Sequence, residues 1–347
     1  MIWLTWRQFR AQTIATSAAL GVLAVLLLVS GLSLAHLDSV SGLASCHGTA
    51  TCASDATSFI NLVKGGLSEK VFYLGIALAY LAPALMGIFW GAPLIARELE
   101  TGTFRLAWNQ SVTRSRWVAV KLALIGLAAI VTAGLLSLMT GWWAGPIYHA
   151  ARLAGDNSMD IAKITPVMFG AGGVAPLGYA AFAFALGVTA GLLVRRTIPA
   201  MAITLAVFAL VQVAWPNWVR PHLISPVRWS RPFSMSRLDE IMLSGSPSGP
   251  TMTVGESFSK PGAWIVSNQS VKPDGQVFTG PATMACRNQG IRACNASIVR
   301  LHLHQVVTYQ PASRFWAFQW TEMAIFLALA VALGCFCAWR IRRWRAA

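Results

Sequence analysis

Five stretches of this chain, Thr13–Leu34, Val71–Ala96, Leu122–Ile147, Val167–Val194 and Thr197–Trp215, contain no Asp, Glu, Lys or Arg. A sixth, Phe315–Trp339, contains one, Glu322. Crossing a bilayer as a helix takes about 20 predominantly apolar residues, so each stretch is long enough to do so. Inside lipid a chain must satisfy its own backbone polar groups, and runs of this kind do that as helices. Composition excludes the alternatives. Charged residues make up 11 % of the chain, against about 25 % in an ordinary soluble domain. That is too little to coat a water-facing surface, which rules out a soluble enzyme, a disordered chain and a coiled coil. The predicted class is an all-α integral membrane protein with six transmembrane helices. It carries an N-terminal interfacial helix and a small α/β or β-rich extracellular domain between helices five and six.

The fourth stretch begins with three glycines and a proline between Gly170 and Pro176, which predicts an elbow before the helix proper. The first stretch follows Arg7 and Arg10 and resembles a signal peptide. Its apolar run exceeds the usual signal core of about 7–15 residues, so a retained helix is expected.

The net charge of +15 would suit nucleic acid, but its distribution points to topology. With the N-terminus inside, the inner segments hold 13 Lys and Arg, and the two short outer loops hold 4. Positive residues concentrate on the cytoplasmic side of membrane proteins and attract anionic lipid there. Both termini are therefore expected in the cytoplasm, and no nucleic-acid partner is. Cys46 and Cys52 then share one outer loop, and Cys286 and Cys294 share the long outer segment. Oxidising compartments keep disulfides, so local bridges within each pair are plausible, although spacing alone leaves the pairing open. Cys335 and Cys337 sit in the last helix and read as packing thiols.

The domain plan follows. Residues 1–12 form an amphipathic interfacial helix with Ile2, Trp6 and Phe9 on one stripe. Residues 97–121 form the longest cytoplasmic loop. Residues 216–314 form the outer domain, with strands predicted at Ala263–Val266 and Ser297–Tyr309. Residues 340–347 form a basic tail. In the second strand His302 and His304 share a face, but further ligands at zinc spacing are missing, so no metal is expected.

Candidate chemistry is sparse. The chain has no GxxxxGK[ST] phosphate loop and no HExxH or GxSxG motif, so neither a catalytic site nor a cofactor in this chain is expected. Ser257–Lys260 matches SxxK without its companion motifs. Asn268–Ser270 and Asn295–Ser297 fit the glycosylation pattern. Glu322 stands out, because a carboxylate at membrane depth is costly and marks a functional candidate. Gln212, at similar depth in the fifth helix, is a candidate hydrogen-bond partner, which would make Glu322 either a structural polar clamp or a substrate contact. Gly187 and Gly191, with Ala183, form a small-residue stripe that favours close helix packing.

The cytoplasmic loop carries Glu98 and Glu100, then Gly102 and Thr103, which break one helix and can start another. Phe104, Leu106 and Trp108 offer an apolar surface, and Arg116 and Lys121 follow. This pattern resembles the membrane subunits of ATP-binding-cassette (ABC) transporters of the type-two, exporter class. The start IWLTWRQFRAQ and the stretch TYQPASRFWAFQWTE resemble the version common in high-GC Gram-positive bacteria. The outer segment, at about 100 residues, is longer than in many bacterial members.

The resemblance implies a connecting helix bearing Trp3, Trp6, Arg7 and Phe9. It implies a coupling helix formed from Glu98, Glu100, Gly102, Thr103, Phe104, Leu106, Trp108 and Arg116. It also implies two ATPase subunits holding ATP and Mg²⁺, a second permease copy or paralogue, and a place in the bacterial cell membrane. Tyr80, Met86, Phe208 and Gln212 would line a path for an amphipathic small molecule, peptide or lipid. A membrane sensor or assembly factor with an outer ligand-binding domain is the alternative.

Overall fold

The computed structural model describes residues 2–45, 51–102, 114–154, 162–244, 251–258, 260–281, 286 and 291–343. Among these, six helices are long and apolar enough to cross a membrane: Phe9–Val40, Leu67–Thr101, Arg116–Trp143, Ala175–Val194, Thr197–Leu223 and Ala312–Arg342. We refer to them as spans one to six.

The first helix, α1 (Ile2–Val40), is one uninterrupted rod. The expected boundary between an interfacial helix at 1–12 and a span beginning at residue 13 is absent. No glycine or proline occurs before Gly21, so nothing forces a break. A short outer helix, α2 (Thr51–Val63), follows. Span two comprises α3 (Leu67–Met86), a π-turn at Gly87–Gly91 and α4 (Ala92–Thr101). Gly102 ends it in the left-handed region at φ 73°, where a residue without Cβ is favoured. Span three lies within α5 (Arg114–Trp143), and α6 (Gly145–Leu153) packs on α2.

Span four is the hub. After the one-turn α7 (Pro166–Phe169) the chain bends through residues 170–174 and enters α8 (Ala175–Val194). In the apolar part of α8, 78 % of residues are buried inside the chain, against 17 % in spans five and six. The Gly187–Gly191 stripe is spent within this chain. A Cβ on Gly187 would lie 2.2 Å from the carbonyl oxygen of Gly87, and one on Gly91 would lie 2.5 Å from that of Phe184. Gly87 and Gly91 are thus a second GxxxG pair, in span two, that meets the first where the two backbones cross.

Span five runs from α9 (Thr197–Ala214) through a π-turn at Trp215–Val219 into α10 (Arg220–Leu223). It does not stop at Trp215. The prolines at 216 and 221 lie inside this continuous helix, where each removes one intrahelical hydrogen bond, and the first falls in the wider π-turn. Arg220 therefore belongs to the helical bundle and not to the outer segment.

Two antiparallel sheets follow span five in the chain. β1 (Val227–Pro232), β6 (His304–Gln310) and β4 (Trp264–Val271) make one, in the order β1-β6-β4. β2 (Leu238–Ser244), β3 (Thr251–Glu256) and β5 (Gly280–Pro281) make the other. The helix α11 (Ile291–Val299) covers the second sheet, burying Cys294 and Ile298 against Met252, Val254 and Phe278. The strand predicted at Ser297–Tyr309 is therefore only its last part. Residues 297–299 finish a helix whose 3.6-residue spacing buries one face, and His302 sits in a turn at φ 46°. His302 and His304 do not share a strand.

Trp264 of β4 inserts beside Phe169 and Phe318, so the first sheet rests on the elbow end of the bundle. We call this the sheet end and the opposite one the basic end. Trp142, Trp218, Trp316 and Trp320 are exposed near the sheet end and Trp339 near the basic end. In the last helix, α12 (Phe315–Arg342), Trp320 and Trp339 are separated by roughly 28 Å at 1.5 Å per residue. That matches a hydrocarbon core of about 30 Å flanked by aromatic belts.

Candidate functional site

The most buried polar constellation lies at the sheet end. Arg220 and Glu322 are 1 % and 0 % exposed. The guanidinium donates from Nε to Oε2 and from Nη2 to Oε1 of Glu322, both at 2.9 Å. Tyr179 donates its hydroxyl to the same carboxylate and accepts from Arg220 Nη2 at 3.2 Å. Arg220 Nη1 donates to the carbonyl of Pro166 at 3.0 Å, and the guanidinium stacks 4.3 Å from the Phe169 ring centroid. A bidentate pair satisfies both charges without water, as this depth requires.

Three residues before Glu322, Gln319 is fully buried. Its Oε1 accepts from the backbone N–H groups of Val174 and Ala175 at 2.9 and 2.7 Å, capping α8. Its Nε2 donates to the carbonyls of Phe169 and Gly172, each at 3.0 Å. Tyr80 donates to the carbonyls of Pro166 and Val167, and Ser137 donates to that of Gly173. A bent backbone at membrane depth needs such partners. Spans two, three, five and six each supply one.

The candidate Glu322–Gln212 bond does not form, and Arg220 takes its place. Both oxygens of Glu322 are taken by a charged partner, which outcompetes a neutral amide. The Gln212 Nε2 is buried without a hydrogen-bond partner among the described residues. Tyr80, Met86 and Phe208, expected to line a path, are used in packing. Tyr80 holds the elbow, Met86 packs near Trp90 and Val188, and Phe208 packs near Phe182 and Ala183.

The basic end has a second polar junction. Glu98 pairs with Lys121 of α5, their side chains 16 % and 3 % exposed. Exposed Glu100 accepts from the backbone N–H and hydroxyl of Thr197, at 3.1 and 2.7 Å. A carboxylate at the first turn of span five favours the helix dipole. The two acidic residues at the end of span two are thus joined to spans three and five. Arg116 is exposed. Thr103, Phe104, Leu106 and Trp108 lie outside the described residues, as do the side chains of Trp3, Trp6 and Arg7. Phe9 is buried edge-on to Trp90, with ring centroids 4.9 Å apart.

Between α1, span two and α5 a groove of about 470 Å³ opens, with Phe9, Phe89 and Leu94 at one end and Arg97, Glu98 and Thr101 at the other.

In the sheet region Cys286 and Cys294 are bonded. Cys52 is also disulfide-bonded, and Cys46 lies outside the described residues. Glu256 is buried and receives Arg231 and Arg237. The Asn268 amide donates to the carbonyl of Glu256 and accepts from Gln305, so this glycosylation motif is tied into the sheet. Ser257 and Lys260 turn to different partners, the Arg237 carbonyl and the Tyr309 hydroxyl. Beside α6, burial and then the Arg152 charge push the Lys163 ammonium below its ordinary pKa. The described residues contain no cluster of three or more His, Cys, Asp or Glu able to hold a metal.

Six apolar helices around a buried ion pair and a side-chain-satisfied elbow define a multi-pass membrane protein. The family model described as ABC-2 membrane transporter related matches residues 17–220, and the chain belongs to that family. Membership supports a permease of an ABC transporter, a class that works with an ATPase subunit. The match ends at Arg220, so Glu322 and both resembling end motifs lie outside it. No curated protein and no solved structure matches the chain.

Proposed function

We propose that this chain forms half of the transmembrane path of an ABC exporter in a bacterial cell membrane. The basic end faces the cytoplasm and the sheets face outward. Two separate ATPase subunits bind ATP and Mg²⁺ and dock under Glu98–Trp108. A second permease, identical or paralogous, completes the path, and the cargo is an amphipathic small molecule, peptide or lipid. Its chemical identity is set by particular side chains rather than by the fold.

One observation carries this reading. Glu98 and Glu100 stand immediately before the loop and bind two different spans, Lys121 of span three and the start of span five at Thr197. A push on the loop therefore moves three spans together. Rigid-body transmission through packed helices is an established repertoire for such switches. The carboxylates act as transmission links, and the apolar loop residues supply the docking surface.

Co-purification from the native membrane tests the partner. An ATPase subunit should accompany the chain. In proteoliposomes, Glu98→Ala should preserve that association and lower transport-coupled ATP hydrolysis several-fold. Recovery of the chain without any ATPase, or unchanged coupling in Glu98→Ala, overturns the reading.

A further inference from the structure

The groove at the basic end runs from apolar to polar along span two. Phe89, Pro93 and Leu94 line its membrane-facing part, and Arg97 and Thr101 line the turns nearest the basic end. From Phe89 to Arg97 the helix rises roughly 12 Å, most of the ~15 Å depth of one leaflet's hydrocarbon. Its volume lies within the ~300–1,000 Å³ of small-molecule sites. Phe89 is 51 % exposed, so the mouth opens sideways. Phe9, edge-on to Trp90, closes the floor.

The charges at the polar end are unequal in their engagement. Glu98 is held by Lys121. Arg97 is exposed, and its guanidinium has no ion pair or side-chain hydrogen bond among the described residues. An unpaired guanidinium offers a planar fork that matches phosphate oxygens. Apolar walls reaching roughly 12 Å below an unpaired arginine complement one class of molecule.

We propose that this groove seats one anionic phospholipid from the leaflet at the basic end. Its phosphate lies on Arg97 and an acyl chain runs over Phe89, Pro93 and Leu94. The seat needs only that the bundle sits in a bilayer, and it stands whether or not the chain exports anything. It also bridges α1 to span two.

Native mass spectrometry of the delipidated full chain in detergent tests the proposal, with dioleoyl phosphatidylglycerol, dioleoyl phosphatidylcholine and inorganic phosphate as probes. One phosphatidylglycerol should bind in preference to phosphatidylcholine. Arg97→Gln should weaken phosphatidylglycerol binding roughly tenfold, as expected for one charge-assisted hydrogen bond lost, and erase the preference. Arg97→Lys should restore part of it. Leu94→Trp, which fills the apolar half, should lower binding of both lipids. A preference that survives Arg97→Gln overturns the headgroup assignment. Unchanged binding in Leu94→Trp overturns the chain path, and displacement of the lipid by inorganic phosphate reveals a free-anion site instead.

Discussion

The sheet-end and basic-end junctions use similar side chains in opposite settings. At the sheet end Arg220, Glu322, Tyr179 and Gln319 are sealed from solvent, and each finds a partner inside the bundle. At the basic end Glu98 is partly exposed and Glu100 is exposed, and each reaches one neighbouring helix. Burial raises the cost of breaking a charge pair, because the surviving charge cannot be hydrated. The sheet end therefore resists rearrangement more strongly than the more exposed basic end does.

Glu322→Leu should break the contrast hardest. It leaves Arg220 buried and unpaired, and a loss of about 3–5 kcal/mol is expected, read as a lower unfolding temperature in detergent. Adding Arg220→Met should return most of that loss, since an apolar pair of similar volume removes both charges. If the double variant is no better than the single one, the cluster is more than an ion pair.

Gln319→Leu comes next. Two N–H groups and two carbonyls at the elbow lose their partner, for about 1–3 kcal/mol. Hydrogen exchange should rise at residues 172–175 before it rises elsewhere.

Lys121→Met keeps the side chain's apolar stem but takes the lysine charge from Glu98, which is only 16 % exposed, so stability should fall by about 1–3 kcal/mol, less than at Glu322. Coupling between ATP hydrolysis and transport should suffer more than the fold does. Glu100→Ala should have the smallest effect on unfolding, and 1 M salt should reduce it further, since helix-terminal charge effects are screened. The same salt should leave the Glu322 result unchanged. A strong salt effect there would show that water reaches the pair.

The apolar runs were legible because length and the absence of charge are sufficient clues to a membrane helix. Glu322 stood out for the same reason. Arg220 did not, because Pro216, Asn217 and Pro221 around it read as the start of an outer loop. A π-turn carries the helix through the first of these prolines, and linear spacing gives no sign of that turn. An arginine five residues beyond an apolar run, in a chain with one lone intramembrane carboxylate, was the available signal. The glycines at 187 and 191 were readable, but their mates at 87 and 91 were hidden among the aromatics of span two. Gln319 looked like an ordinary polar residue near a helix start. Its role depends on a bend more than 140 residues earlier in the chain, which no local pattern encodes.

The ion pair also constrains the order of events during synthesis. Arg220 is made well before Glu322, with both sheets between them, so for that interval the arginine has no counter-ion in the bilayer. The fifth helix is expected to reach its full depth only once the final helix supplies that carboxylate. A protein released before residue 315 should stay unsettled there and be cleared faster than one carrying the whole length, as pulse-chase labelling would record.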